Sequence, residues 1–262
     1  MYPVTAMVVA FDEEEWVYES IQSILPYVSE VVFVDDNSTD DTLDRVRSIK
    51  NEKVRVYCYE QHGISSLGDL KNFAQEKASN PWVIRWDADF IAYDHIGRLF
   101  SDIGNRFDSY LLSGPNLSGD INHQPRKRPE FGPELYLFRR GLVEFRRTDN
   151  FGDYPVVIKQ NRICRNYGGA FWVHANNLKK PEKLSYRIYM SRYLASGTKE
   201  PYIDWVGRTI FKSEFSIDEI QNRLLRSVTK AKLDVIPFDF NKYGPHPEIL
   251  LNSPSASKYS VG

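Results

Sequence analysis

The sequence predicts an α/β fold: a mostly parallel sheet flanked by helices, followed by a smaller, mixed or antiparallel half. Three observations carry this. Apolar runs of strand length alternate with amphipathic helical stretches four times in roughly the first ninety residues, the pattern of a parallel sheet with right-handed crossovers. Three of those runs stop at acidic residues, at Phe11-Asp12, Asp35-Asp36 and Asp87-Ala88-Asp89. Beyond residue 110 the alternation gives way to short strand-like runs among Pro, Gly, Asn and Arg.

Val4–Ala10 lacks polar alternation, as expected of a central strand covered on both faces. Asp12 stands three residues before Glu15, a capping-box spacing that predicts a helix start there. Val17, Ile21, Ile24 and Leu25 give that helix its buried stripe, and Pro26 closes it. Val31–Val34 is the second strand. A helix is expected from about Ser38, with Asp41 in its first turn and Leu43, Val46 and Ile49 on one face. Val54–Tyr59 is the third strand. Gly63 and Gly68 punctuate a loop before a helix carrying Leu70, Phe73, Ala74 and Ala78. The run Pro81–Trp86 is the fourth strand, ending at Asp87.

A helix with Ile96, Leu99, Phe100 and Ile103 leads to a strand near Tyr110–Ser113. Residues 114–134 read as a long surface loop. Leu135–Arg139, Val143–Arg147 and Arg162–Asn166 read as short strands. Pro181–Ala195 and Ile217–Lys230 are amphipathic helices, the second opened by Ser216 with Glu219 three residues on. The Ser-rich end from Asn252 is expected to fray. No internal repeat or clean linker divides the chain, so one domain over 1–262 is expected, in three parts: 1–110, 111–213 and 214–262.

At 262 residues, 42% hydrophobic and 26% charged, the chain suits one large globular domain with an ample core. A formal net charge of −1 gives no sign of a dedicated nucleic-acid binder. With Cys58 and Cys164 as its 2 cysteines it has neither a disulfide framework nor a zinc ribbon, and a reducing compartment is expected. Val4–Phe11, followed by Asp12-Glu13-Glu14-Glu15, is too short and wrongly flanked for a signal peptide. No stretch approaches the roughly 20 apolar residues of a membrane span. A cytoplasmic protein is expected, with any membrane contact peripheral.

In parallel sheets ligands bind beyond the carboxyl ends of the strands. The three acidic ends should therefore line one crevice. In an extended segment Asp87 and Asp89 would point the same way, with Ala88 giving clearance, and two such carboxylates suit a hard divalent cation that also holds phosphate oxygens. Read alone, Asp-x-Asp is equally a plain turn. No Gly-x-Gly-x-x-Gly follows the first strand and no Gly-Lys-Ser/Thr loop is present, which removes the main support for dinucleotide and P-loop readings.

Together these residues resemble the inverting glycosyltransferases of family two, with the Rossmann-like GT-A fold. Val8-Val9-Ala10-Phe11-Asp12-Glu13 is similar to that family's opening strand and Tyr-Asn-Glu turn, with Phe and Asp substituted. Val32–Thr42, with Asp35-Asp36-Asn37-Ser38-Thr39-Asp40-Asp41-Thr42, is close to its Val-Asp-Asp-Gly-Ser-Thr-Asp-x-Thr block. Lys71-Asn72-Phe73-Ala74 and then Asp87-Ala88-Asp89 resemble its Arg-Asn-x-Ala helix and Asp-x-Asp signature. More loosely, Tyr154-Pro155, Lys159 to Arg162-Ile163 and Trp172-Val173-His174 resemble the lipopolysaccharide-core glucosyltransferase branch, with Ala175 where that branch has Glu.

The resemblance implies a metal-dependent transfer of a sugar from a nucleotide-diphosphate sugar to a hydroxyl of a glycan, lipid-linked or other acceptor. UDP-sugars are favoured, with GDP- and dTDP-sugars as alternatives. It implies nucleotide-sugar contacts from Ala10, Phe11, Glu13, Asp36, Lys71, Asp87 and Ala88. Asp89, with Asp87 and His174, would hold Mn²⁺ or Mg²⁺, and Asp153 or Asp149 would be the base. Trp172 reads either as a stacking ring for an acceptor sugar or as core. The pairs in Arg126-Lys127-Arg128, Arg139-Arg140 and Arg146-Arg147 read either as a site for an anionic acceptor or as solvated charge. Two other functions fit parts of the pattern: a sugar-nucleotide pyrophosphorylase, which should open on a Gly-rich basic loop instead of Phe11-Asp12-Glu13-Glu14-Glu15, and a non-catalytic carbohydrate-binding module on a degenerate scaffold.

Overall fold

The computed structural model describes residues 1–59, 67–104, 106–148, 152–159 and 164–259. Its first half is the expected alternation: β1 (Val4–Ala10), α1 (Val17–Ile24), β2 (Glu30–Asp35), α2 (Thr42–Arg47), β3 (Val54–Cys58), α3 (Leu67–Lys77) and β4 (Trp82–Arg85). These strands pair in parallel in the order β3-β2-β1-β4, with Val8 opposite Phe33 and Ala6 opposite Ile84.

Side-chain alternation explains why β1 is apolar at every position but Thr5. Ala6 and Val8 face a layer with Val17, Ile21 and Ile24 of α1. Met7 faces the other way, with Val32, Val34 and Val83, onto Leu70 and Ala74 of α3. Both faces are covered, and the polar residue of the strand, Thr5, is buried with its hydroxyl donating to Glu30 Oε2 at 2.6 Å.

The chain continues as β5 (Phe90–Ala92), α4 (Ile96–Asp102), β6 (Ser109–Ser118), β7 (His123–Pro125), β8 (Glu130–Arg139), β9 (Val143–Thr148), β10 (Gly152–Val157), β11 (Arg165–Ala170) and β12 (Trp172–Asn177). There follow α5 (Pro181–Arg187), α6 (Met190–Ser196), α7 (Tyr202–Trp205), a π-helical turn (Val206–Phe211), α8 (Ile217–Leu233), β13 (Val235–Pro237), α9 (Phe240–Tyr243), α10 (Glu248–Leu251) and a 3₁₀ turn (Ala256–Lys258). The sheet extends past β4 as β8-β6-β12-β5, with β11 also on β6. The β4–β8, β8–β6 and β12–β5 pairs are antiparallel, while β12 and β11 run parallel to β6, so this half is mixed. β9 and β10 form a separate antiparallel ribbon.

Several expectations are corrected. Residues 114–134 are not a loop: β6, β7 and β8 occupy most of them. Gly114 is there because β6 runs against Trp172, where an added Cβ would stand 2.3 Å from the Trp172 carbonyl. Pro181–Ala195 is two helices, not one. No capping box opens α1, whose N-cap is Trp16 without a side-chain bond. The box at Ser216 is formed, with Glu219 N donating to Ser216 Oγ at 3.3 Å and Ser216 N to Glu219 Oε2 at 2.9 Å. The C-terminal stretch is not frayed as far as Tyr259: Ser253 and Ser255 are buried against Glu19 and the Glu15 carbonyl, at 2.8 and 2.7 Å. Among the described residues no helix is long and apolar enough to cross a membrane.

Candidate active site

The turns leaving β1 and β2 are laced together. Asp36 N donates to Ala10 O at 2.8 Å, extending the ladder past the strand ends. Ser38 Oγ accepts from Asp12 N at 2.9 Å, Thr42 Oγ1 from Glu13 N at 2.6 Å, and Asp12 Oδ1 from Thr39 N at 2.7 Å. Asp12 and Asn37 take φ of 52° and 58°, in the left-handed region where Asp and Asn are enriched over other side chains. The acid- and hydroxyl-rich block thus supplies the acceptors that shape both turns. Phe11 is left 41% exposed, and Asp36 is half-buried. Burial, and then the neighbouring Asp35 charge, push the Asp36 carboxyl above the usual carboxylate range. An exposed ring and a carboxylate on adjacent strand ends can stack on one flat group and accept from its N–H or hydroxyls.

On the far side of β1, Trp86 N donates to Met7 O at 2.9 Å, and Phe90 N then donates to Asp87 O at 3.0 Å, closing a tight turn. Strand alternation stops before this turn, so Asp87 and Asp89 do not share a face as expected. Asp87 is partly exposed and acts electrostatically on the buried Arg85 and Tyr136. The Arg85 guanidinium lies 3.9 Å from the Tyr136 ring centroid and donates to Glu134 at 2.8 Å. Burial opposes its charge, but Tyr136, Asp87 and Glu134 outweigh burial and raise its pKa. Ala88 is buried. Lys71, also buried, places Nζ 5.6 Å from the Phe145 ring centroid. Beside it Asn72 bonds the Phe145 backbone twice, Nδ2 to O at 2.9 Å and Oδ1 from N at 2.8 Å, pinning the β9–β10 ribbon to α3.

Asp89 turns inward to a buried polar network. Its Oδ2 accepts from Lys179 Nζ at 2.5 Å, and its Oδ1 lies 3.2 Å from His174 Nε2. Lys179 is fully buried and also donates to Glu13 Oε1 at 3.1 Å, forming an ion pair in which Oε2 lies 2.8 Å from Nζ. His174 Nδ1 lies 2.8 Å from Asn116 Oδ1, and Asn116 Nδ2 donates to Arg128 O at 2.9 Å, which fixes the amide's orientation. Both ring nitrogens therefore face oxygen atoms of neighbouring side chains. Burial by itself would raise the Asp89 carboxyl, but the Lys179 and His174 charges outweigh it and hold the group well below the usual range.

The expected metal ligands do not fit a divalent ion as they stand. Both Asp89 oxygens are engaged, both His174 nitrogens already face Asn116 and Asp89, and Asp87 lies in a different electrostatic environment. Among the described residues no three His, Cys, Asp or Glu side chains group to hold a metal. Glu13, expected to border the nucleotide, is a partner of Lys179.

A family model described as glycosyl transferase family 2 matches residues 5–160, more than half of the 262-residue chain. The chain belongs to glycosyl transferase family 2. Solved structures resembling it include S. aureus TarS 1–349, with 14% identity over 87% of this chain and 70% of that one and a TM-score of 0.48. The same TarS fragment in complex with UDP-GlcNAc gives 15% identity, 88% and 81% coverage and a TM-score of 0.45. The mannosyltransferase PcManGT from Pyrobaculum calidifontis, in complex with GDP-Man and Mn²⁺, gives 17% identity, 88% and 74% coverage and a TM-score of 0.49. No curated protein sequence matches the chain.

Within this family 2 glycosyltransferase, Ala10, Phe11, Asp36 and Asp87 lie at the carboxyl ends of the adjacent strands β2, β1 and β4. Of the two candidate bases, Asp153 is in β10, opposite Arg147 of β9, and Asp149 lies outside the described residues. Arg162 and Ile163 also lie outside them. Trp172 is core, stacked on Phe90 with ring centroids 4.5 Å apart. The arginines with described partners spend their charge within the chain: Arg126 on Asp234, Arg139 on Asp108, Arg140 on the Ala78 carbonyl and Arg146 on Glu144. Sequence reasoning missed Lys179 and Lys183. The available signal was Leu178-Lys179-Lys180-Pro181, a basic pair between a strand and a helix, complementary to Glu13-Glu14-Glu15.

Proposed function

We propose that the chain transfers a sugar from a nucleotide-diphosphate sugar to an acceptor hydroxyl with inversion at the anomeric carbon. The observation that carries the reading is the meeting of Phe11, Asp36 and Asp87 at neighbouring strand ends of a family 2 chain. Phe11 packs on the base, and Asp36 accepts from the base edge or a ribose hydroxyl. Ala10 and Ala88 leave room for the nucleotide, Lys71 borders it, and Asp87 faces the ribose or donor sugar.

In the transfer, the acceptor oxygen bonds the anomeric carbon as that carbon's bond to the phosphate oxygen breaks. The hydroxyl proton passes to a carboxylate on the opposite face, Asp153 or Asp149, and the nucleoside diphosphate departs with the bonding pair. Negative charge grows on that diphosphate and needs preorganised positive charge. Lys183 is the nearby candidate, with Nζ 3.8 Å from Glu13 and 3.9 Å from Asp40 and a side chain 16% exposed. The Mn²⁺ or Mg²⁺ expected from the resemblance finds no fitting ligand set at Asp89, so no step is assigned to it. The acceptor is a glycan, lipid-linked or other hydroxyl compound.

Calorimetric titration with UDP-, GDP- and dTDP-sugars tests the reading. One donor class should bind, and both Asp36→Ala and Phe11→Ala should weaken it. Equal affinity in both variants, or no binding by any donor, refutes the assignment.

A further inference from the structure

From the engagement of both Asp89 oxygens we infer that Lys179 is a built-in replacement for the divalent cation, a positioning residue that makes donor binding by this chain independent of metal at Asp89. The inference rests on the transferase reading and concerns the charge balance of its site. Lys179 Nζ contacts Asp89 at 2.5 Å and Glu13 at 2.8 and 3.1 Å, with no exposure to solvent. A divalent ion seated on Asp89 would have to displace this ammonium, which has no described route to water. Glu13 and Asp89 are both already paired with the Lys179 ammonium, so a divalent ion at Asp89 would have to compete with a cation held in place by two buried carboxylates.

The lysine is also held from outside the pair. Lys232 Nζ donates to its carbonyl at 2.6 Å, Glu15 Oε2 accepts from Lys180 N at 3.1 Å, and Glu14 Oε1 accepts from Lys180 Nζ at 2.6 Å. Trp16 Nε1 donates to Leu178 O. The Glu13-Glu14-Glu15 turn after β1 and the 178–180 turn before α5 thus grip each other at four consecutive residues on one side. This two-sided clamp fixes where the ammonium sits. It also sets the start of α5, and with it Lys183, against the turns that follow β1 and β2.

The test couples metal to donor. If Mn²⁺ changes donor affinity by some factor, the donor changes Mn²⁺ affinity by the same factor. For the wild type that factor should stay within about twofold of unity, read by calorimetry in excess EDTA and in excess Mn²⁺. A gain of about tenfold with Mn²⁺ that disappears in Asp89→Asn would overturn the inference. The wild type alone, titrated with Mn²⁺ and followed by the electron paramagnetic resonance of the free ion, supplies a readout without donor. Mn²⁺ uptake equal to that of Asp89→Asn supports the inference, and uptake lost in Asp89→Asn overturns it. A protein that binds no donor in either buffer refutes the transferase reading and leaves the Mn²⁺ comparison to judge Lys179. In Lys179→Met the freed Glu13 and Asp89 carboxylates should give a Mn²⁺-dependent rise in melting temperature that the wild type and Lys179→Arg lack. A rise of equal size in the wild type counts against the inference.

Discussion

Asp36 and Asp89 are shifted in opposite directions from an ordinary aspartate. Asp36 is raised, by burial first and Asp35 second, so it takes up a proton at higher pH than an ordinary aspartate near about 3.9. Only its ionised form accepts strongly, so donor affinity should fall as pH drops through that raised value. Asp36→Asn should weaken binding by about 1.5–3 kcal/mol at neutral pH and flatten the pH profile, as calorimetry across mildly acidic buffers will show. Asp89 is held low by Lys179 and His174 against its burial. Its stabilising contribution is present above the unfolded-state value of about 3.9 and is lost as pH falls through the lower folded-state one. Lys179→Met leaves Glu13 and Asp89 as buried acids without their ammonium, and should cost about 3–5 kcal/mol at neutral pH in urea unfolding. That deficit should shrink on acidification as the acids protonate. The strand-end places of Phe11 and Asp36 were legible in the apolar runs that precede them. Lys179 was not, because its partners lie 90 and 166 residues away and no local pattern encodes that meeting.

At the scale of elements, periodicity read well wherever one face is buried. The stripes of α1, α3 and α4 and the strands β1 to β4 lie where apolar spacing put them. It failed where tertiary contacts decide. Asp12-x-x-Glu15 has capping-box spacing, but Asp12 binds Thr39 and Glu15 binds Lys180, so the chain turns before helix begins. Residues 114–134 looked like a loop because Gly, Pro and Asn serve there for close packing and an irregular register within β6 and β8. Asn72 shows a family motif acting between elements. Its amide satisfies both backbone groups of Phe145, so Asn72→Ala should cost about 1–3 kcal/mol through the orphaned pair. It should also free the β9–β10 ribbon that carries Asp153, raising amide hydrogen exchange over 143–148 and 152–157 ahead of the sheet centre. A uniform change across the sheet would mean that Asn72 acts only on global stability.

At the scale of the whole molecule, the first strand–helix turn is held by segments from far along the chain. Glu13 meets Lys179, Glu14 meets Lys180, and Glu15 receives Lys180 N and the Tyr259 hydroxyl. The Ser255 hydroxyl binds the Glu15 carbonyl at 2.7 Å and Ser253 binds Glu19 at 2.8 Å, so the C-terminal stretch closes over the back of the same turn. Ala256 and Leu250 pack with Trp16 in one apolar cluster, which ties that stretch to the start of α1 by burial as well as by hydrogen bonds. Composition alone made this region look loose, since a serine-rich stretch carries no apolar stripe and its hydroxyls become informative only once their acceptors are known. Removal of residues 253–262 should therefore lower the melting temperature and also weaken donor binding, because the turn that presents Phe11 loses its backing. Ser255→Ala, which deletes one hydrogen bond and leaves Ala256 and Tyr259 in place, should reproduce a small part of the stability loss and little of the affinity loss. A truncated chain that unfolds earlier yet binds the donor with unchanged affinity would separate the C-terminal stretch from the site and confine its role to covering Trp16.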